Sequence, residues 1–140
     1  MTAFSTATET ATLTVNAVND APVVDNSANM TLTAIDEDNF AAAGDTVLNI
    51  IGSAGGDRIT DVDAAPVEGI AVTGLTASNG TWQFKTDGVW TAVGTVANNN
   101  ALLLCAGDSL RFVPDGKNSD TPTVTYRAWD QAIGTFGTKV

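Results

Sequence analysis

Aspartate and glutamate are the residues of this sequence best suited to chemistry, and ten of the 16 lie in five short clusters. Carboxylate oxygens are ligands for hard cations such as Ca²⁺, which takes six to eight oxygen ligands. The clusters therefore predict Ca²⁺ binding wherever the fold brings several of them together. They are Asn19-Asp20, DEDN at 36–39, DRITDVD at 57–63, DGKNSD at 115–120, and Asp130.

Asp61 and Asp63 are the pair best spaced to share a cation, because alternate side chains of an extended backbone point the same way. Two acids at this spacing also occur by chance as solvated loop residues, so that interpretation stays open. The DGKNSD stretch carries Lys117 among its acids, and solvated loop acids are the simpler interpretation there. It is not an EF-hand loop, since the required glycine and the closing glutamate are absent.

Histidine is absent from the 140 residues, which excludes Ser-His-Asp and Cys-His catalytic sites within the sequence. The one cysteine, Cys105, lies in the apolar stretch ALLLCAGDSL, so we expect a small buried core residue rather than a reactive thiol. A hydrolase that uses two carboxylates, for example around Asp61 and Asp130, is one functional alternative. It ranks behind metal binding, and we expect no enzymatic activity, because no cleft-forming insertion is evident.

The net charge and the lengths of the apolar runs limit which classes of partner we expect. The 16 acidic residues outnumber the 6 basic ones, which gives a net charge of −10 and a pI near 4.1. Nucleic acid is excluded as a partner because no basic patch could displace the counterions of phosphate groups. No apolar run approaches the length of a membrane span, so we expect no membrane insertion.

The acidic residues must be positioned by predicted strands and turns. The strands are short segments rich in Thr, Val and Ile, and the turns between them contain Gly, Asn and Asp. Asp87-Gly88 predicts a hairpin turn, and the stretch after Asp45, taken as N-cap, predicts a short helix at 46–53, although a strand there stays possible. Regularly spaced strands of this kind indicate an antiparallel sandwich. The predicted strands are 10–18, 30–35, 67–75, 81–85, 89–93, 101–104, 109–113 and 121–130.

Several short motifs follow one another in a recognisable order. Ile35, Glu37 and Asp38 precede Gly44–Val47, Asp61-x-Asp63 comes next, and Tyr126-x-Ala128-x-Asp130 lies near the end. A joint-like stretch near the start contains Asn16, Asn19, Asp20 and Pro22. Together these motifs resemble a cadherin-like repeat of large bacterial surface adhesins, whose pattern is I-x-E-N, G-T-x-V, D-x-D, V-x-A-x-D and D-x-N-D-N-x-P. The joint departs from that pattern at Asn16 and in the order Asn19-Asp20, and the family's D-R-E element has no clear counterpart.

The resemblance implies an all-β, antiparallel Greek-key sandwich of the cadherin/Ig-like type and an extracellular place on the bacterial surface. It implies a structural and adhesive role, in which Ca²⁺ rigidifies the joints between neighbouring repeats. Residues 1–19 would be the last strand and linker of a preceding repeat, and 20–140 a repeat that lacks its own last strand. Glu37, with Asp36 and Asp38, would belong to a lower metal site. The upper Ca²⁺ site would use Asn19, Asp20, Asp61, Asp63 and Asp130.

Residues 8–17 raise the question of a partner, because they have the alternation of a strand. The linker NAVND spans at most about 18 Å, whereas a domain of this size is roughly 35–40 Å long, so the segment cannot fill the missing edge of its own domain. We therefore predict self-association by strand donation to a neighbouring molecule.

Trp82, Phe84 and Trp90 form a second candidate site. Aromatic clusters of this kind usually pack in the core or across strands. They can also stack against sugar rings, so a carbohydrate-binding module of a secreted protein that uses Trp82 and Trp90 is the functional alternative.

Overall fold

The computed structural model describes residues 3–140, so residues 1 and 2 of the predicted 1–19 segment lie outside the described range. Within that range the chain forms nine short strands and one helix, all in the part that follows Pro22. The strands are β1 Val23–Val24, β2 Asp45–Thr46, β3 Ile59–Thr60, β4 Gly69–Thr76, β5 Gly80–Thr86, β6 Val89–Ala92, β7 Leu102–Cys105, β8 Ser109–Pro114 and β9 Thr123–Trp129, and the helix is α1 Val47–Gly52.

The strands form two main antiparallel sheets that enclose the core. One sheet has the order β2-β8-β5-β6, the other has the order β7-β4-β9, and β1 pairs with β3 in a small separate ladder. The segment 137–140 runs along β7, where the amide of Ala101 donates to the carbonyl of Val140 at 2.7 Å. The predicted all-β, antiparallel sandwich with one short helix is confirmed.

The core lies between the two sheets and is filled by their inward-facing side chains. Ile70 and Val72 on β4 and Leu110 on β8 have no exposed surface. Trp82 and Phe112 meet edge to face with ring centroids 5.4 Å apart, a favoured geometry for aromatic pairs. Full burial of an aliphatic side chain of this size contributes about 1.5–3 kcal/mol, so this layer supplies most of the stability.

The β5–β6 hairpin follows from its turn residues. Asp87 and Gly88 both have positive φ, 51° and 84°, which the two-residue turn between twisted strands requires. The tight turn fixes the register so that Lys85 lies opposite Trp90. Trp90 therefore lies on the outer face of the sheet, whereas Trp82 faces the core.

The helix forms where the apolar spacing predicts it, but its cap is one residue later than predicted. Thr46 is the N-cap, and its hydroxyl accepts a hydrogen bond from the amide of Asn49 at 3.1 Å. The Asp45 carboxylate instead accepts two hydrogen bonds at 2.7 Å from the amide and hydroxyl of Thr33. The Asp45 side chain, which the local sequence predicts as the N-cap, is therefore bound by Thr33 instead.

The strand predicted at 10–18 is not formed in this chain. Leu13 and Val15 are 89% and 85% exposed, although they belong to the apolar face of the predicted strand. A strand needs a neighbouring backbone to satisfy its amide and carbonyl groups, and the described residues provide none for this segment. Pairing of this segment with a neighbouring molecule stays a prediction.

The strand predicted at 30–35 is also absent as a ladder. Met30 and Leu32 are half-buried, so the alternation holds at its start. Side chains take the place of a partner strand: the amide of Thr31 donates to the Ser53 hydroxyl at 2.8 Å, and that of Thr33 to Asp45.

β9 forms within the strand predicted at 121–130. Val124, Tyr126 and Ala128 pack against the core. Trp129 lies on the opposite face of the strand, yet it is only 9% exposed. The chain after β9 folds back over it, and its indole nitrogen donates to the carbonyl of Ile133 at 2.8 Å.

Cys105 ends β7 and is half-buried rather than fully buried. Partial burial, together with a hydrogen bond to Asp108, raises the pKa of its thiol. The thiol therefore stays protonated at neutral pH, in agreement with the expectation that it is unreactive. No helix in the described part of the chain has the length and apolar character needed to cross a bilayer.

Candidate metal centre

The candidate site lies at the end of the sandwich where β9 ends and β4 begins, which we call the Asp130 pole. Asp130 is the first residue after β9, and one carboxylate oxygen accepts a hydrogen bond from the amide of Ala132 at 2.9 Å. The other oxygen accepts from the side-chain amide of Asn19 at 2.7 Å. These hydrogen bonds, that from Asn19 first, hold the pKa of Asp130 below its usual 3.8.

Asp61 and Asp63 come to the same pole from the loop after β3. The amide of Asp63 donates to the Asp61 carboxylate at 2.9 Å, so a turn closed by its own side chain holds the two acids together. Their proximity thus comes from a loop and not from the alternation of a strand, which ends at Thr60.

The N-terminal segment reaches the pole through Asn19 and Asp20. The amide of Asp20 donates to the Asp63 carboxylate at 2.9 Å, across 43 positions of sequence. Asn19 contacts both the carbonyl of Asp20, at 3.1 Å, and Asp130, 111 positions away. A continuous chain of hydrogen bonds therefore links the five residues predicted for the upper site: Asp61, Asp63, Asp20, Asn19 and Asp130.

Four of these five residues line an open concavity of about 460 Å³. Its wall includes Asn19, Asp61, Asp63 and Asp130, together with Gln131, which the sequence analysis missed. Gln131 has a positive φ of 61°, and its side chain donates to the carbonyl of Glu68 at 2.9 Å. The one signal that could have found it is its place directly after Asp130 at a strand end.

The chemistry of this donor set fits a hard divalent cation. The groups are carboxylate and amide oxygens, which Ca²⁺ prefers, whereas a soft transition metal would need imidazole or thiolate. In their present positions, no three acidic, histidine or cysteine side chains among residues 3–140 stand close enough together to hold an ion. Hydrogen bonds from amide groups occupy the carboxylates instead, so ion binding requires side-chain rotation at this pole.

Glu37 lies at the opposite end of the sandwich, which we call the Asp120 pole. The turn that holds it has a hydrogen bond from the amide of Asn39 to the carbonyl of Asp36 at 3.0 Å. The ring of Phe40, next along the chain, packs against Gly116, whose missing side chain leaves room for it. Gly116 follows the end of β8, so the structure does not bring Glu37 to the other five predicted residues.

The acids of the DGKNSD stretch accept hydrogen bonds from backbone amides at the Asp120 pole. One oxygen of Asp120 accepts hydrogen bonds from the amides of Ser78 and Asn79 at 2.7 and 2.9 Å, and the other from Thr121 at 2.7 Å. These backbone contacts lower the pKa of Asp120. Asp115 likewise binds two amides of its own loop, and its pKa is also lowered.

Trp82 and Trp90 do not share a surface. Trp82 is 6% exposed and donates through its indole nitrogen to the carbonyl of Thr76 at 2.9 Å, so it has no free face for a sugar ring. The Trp90 ring lies on the outer face beneath two cations, the Arg111 guanidinium at 4.1 Å and the Lys85 ammonium at 4.9 Å.

Comparison with known protein families, with characterised proteins and with solved structures finds no significant match to this chain.

Proposed function

We propose that the chain is a calcium-binding structural module in which Ca²⁺ at the Asp130 pole locks the N-terminal segment to the sandwich. The observation that carries this proposal is the pair of contacts from Asn19 and Asp20 to Asp130 and Asp63. These contacts bring together residues that lie up to 111 positions apart. Asp61, Asp63 and Asp130 would hold the ion, with Asn19 and Asp20 as further oxygen donors.

Electrostatics favours an ion at this pole. Asp20, Asp61, Asp63 and Asp130 contribute four of the negative charges in a chain whose net charge is −10. Like charges repel one another across the concavity, and the repulsion is screened by water without being removed. A divalent cation neutralises part of this charge, so its binding lowers the free energy of the docked arrangement.

The same ion would control stiffness. Residues 8–18 are exposed, and the hydrogen bonds of Asn19 and Asp20 are made at the surface, where each contributes about 0.5–1.5 kcal/mol. The segment can therefore pivot at the pole in the absence of an ion. A shared cation ties both residues to the sandwich and converts a hinge into a fixed joint.

Because the motifs resemble those of cadherin-like repeats in their order, the proposed family is that of the cadherin-like repeats of large bacterial surface adhesins. In such an array the Asp130 pole of one module would face the Asp120 pole of the preceding one. Glu37, with Asp36 and Asp38, would then complete the joint from the other side. The role is that of an extracellular spacer or adhesive rod, with no catalytic step.

Titration calorimetry with CaCl₂, with MgCl₂ as the comparison, tests the metal site. We expect binding of Ca²⁺ to the wild-type chain and a loss of most of that binding in Asp63→Asn, which removes one charge at the pole. Asp87→Asn is the matched control, since it removes an exposed charge from the hairpin turn, where asparagine suits the positive φ. Absence of heat at millimolar Ca²⁺, or an equal loss in both variants, would overturn the proposal.

A further inference from the structure

The outer edge of β9 has no partner strand among the described residues. The sheet order β7-β4-β9 places β9 at one border, while the opposite border, β7, is covered by the segment 137–140. Every second residue of such an edge points its amide and carbonyl groups away from the sheet, as a template for another strand. β1 lies near β9 and Met30 contacts the Tyr126 hydroxyl, but neither pairs with the backbone of β9, so its hydrogen-bonding groups can still accept a strand.

The packing under β9 is incomplete on the same side. Ile70 and Val72 of the neighbouring strand are fully buried. The inward residues of β9, Val124, Tyr126 and Ala128, are only half-buried. A further strand beside β9 would cover them and complete this layer of the sandwich.

Residues 8–17 have the properties that this edge requires. Their apolar face includes Leu13 and Val15, both almost fully exposed, and threonine at 8, 10, 12 and 14 favours an extended backbone. Glu9 is the one charged residue of this segment, and Arg127 is the one charged residue of β9. The pairing therefore avoids the repulsion expected between two copies of an acidic chain.

The alternation of side chains in the two strands fixes which residues share a face. When Leu13 and Val15 pack inward, they lie on the same side as Val124, Tyr126 and Ala128. Antiparallel pairs are the more stable kind, so we expect this orientation.

The chain cannot donate this strand to its own β9 in the antiparallel orientation. Asn19 is bound to Asp130 at the end of β9, whereas antiparallel pairing would place Ala17 near the start of β9, at the other end. The two positions are about 23 Å apart for seven residues of strand. The two-residue stretch from Ala17 to Asn19 spans at most about 7 Å.

We propose that residues 8–17 of a second copy of this chain add to the outer edge of β9 as an antiparallel strand, which gives head-to-tail assembly. The donor copy then lies beyond the Asp120 pole of the acceptor. Its own β9 stays free for the next copy, so the contact does not close on itself and produces open linear chains. Strand addition uses backbone hydrogen bonds and apolar contacts, so it does not depend on calcium at the joint.

Sedimentation velocity over a range of concentrations, in the presence of a chelator, tests this assembly without the metal. We expect the wild-type chain to exceed twice the monomer mass as its concentration rises. The double variant Leu13→Asp/Val15→Asp, which places charges on the donor face, should remain monomeric. Thr14→Asp is the matched control on the opposite strand face and should still assemble.

Hydrogen exchange distinguishes strand addition from nonspecific aggregation. Amides in β9 should gain protection in the wild-type assembly and in Thr14→Asp, but not in the double variant. All variants change exposed residues, and circular dichroism verifies that the sandwich is folded.

Three results would overturn the inference: a monomer at every concentration, a closed dimer that grows no further, or assembly without added protection of β9. A monomer with residues 8–17 paired to its own β9 would do so as well. Because the chelator removes any role of calcium, these outcomes are independent of the success or failure of the calcium titration.

Discussion

The two poles of the sandwich use the same residue type in opposite ways. At the Asp120 pole, the Asp120 carboxylate accepts three backbone amides from two loops, so its hydrogen-bonding capacity holds the loops in place. At the Asp130 pole, the carboxylates of Asp63 and Asp130 accept hydrogen bonds from an exposed segment whose other residues make few contacts.

The difference shows what separates a structural acid from a candidate ligand. Asp120 accepts backbone amides of two loops, so its removal would break the link between them. Asp63 and Asp130 accept hydrogen bonds from Asn19 and Asp20 of an exposed segment. Under the proposal these carboxylates exchange such partners for an ion, whereas Asp120 is committed to the fold.

The largest expected effect is a calcium response confined to one pole. When Ca²⁺ exceeds its Kd a hundredfold, binding should raise the free energy of unfolding by about 2.7 kcal/mol. Thermal melting with and without Ca²⁺ should show this rise in the wild-type chain but not in Asp63→Asn. Asp120→Asn should melt earlier than wild type yet keep the full rise; loss of the rise in this variant would contradict the division between the poles.

The next effect concerns the loop that carries Glu37. Gly116 has a φ of +73°, and a Cβ there would lie 2.5 Å from the Phe40 ring. Gly116→Ala should lower the free energy of unfolding by about 1–2 kcal/mol for the left-handed backbone alone, and further by the displaced ring. Gly88→Ala is the control, since its φ is +84° with nothing within 4 Å. Equal losses in denaturant titrations would mean that Phe40 does not anchor the loop.

Acidification should release the N-terminal segment at a predictable pH. Hydrogen bonds from Asn19 and Ala132 lower the pKa of Asp130 in the folded chain. A lowered carboxyl pKa means that the stabilisation is complete above the usual 3.8 and is lost as the pH falls through the lower folded value. NMR of the Asn19 side-chain amide should show no change from neutral pH to about pH 4, and a shift below it. A transition near pH 6 would refute the assignment.

The last prediction is that one substitution leaves the Ca²⁺ affinity unchanged. Glu37 lies at the Asp120 pole, so Glu37→Gln should leave the Ca²⁺ affinity of the Asp130 pole unchanged in a chain kept monomeric by Leu13→Asp/Val15→Asp. Calorimetry on this background checks the prediction. A weakened affinity there would show that Glu37 acts on the Asp130 pole within one copy.

Local features of the fold could be predicted from the sequence because local residues decide them. The Asp87-Gly88 turn and the short helix depend on conformational preferences within a few positions. The cap of that helix could not be predicted, because Thr33, twelve positions away, binds the Asp45 side chain. The pattern at 10–18 reveals a β-prone segment, but no sequence pattern states whether the same chain supplies a partner.

The residues of the candidate site at the Asp130 pole could also be predicted only in part. Asp61, Asp63 and Asp130 could be chosen from motif order. Asp63 and Asp130 contact Asp20 and Asn19, and Asp61 accepts from the amide of Asp63 at the same pole. The role of the acids at 115–120 could not be foreseen, because the amides that bind Asp120 belong partly to residues some forty positions earlier. The sequence shows where carboxylates are, but not which of them the backbone already occupies.

The outer face of the four-stranded sheet has one more consequence. The Arg111 guanidinium lies over Trp90 and also binds Gln83 and the carbonyl of Ala42, and the Lys85 ammonium lies over the same ring. Cations on this face hinder face-to-face stacking of copies, since each would have to be stripped of water. These cations therefore oppose lateral association at high protein concentration, and fibres of the assembled chain should stay thin and separate.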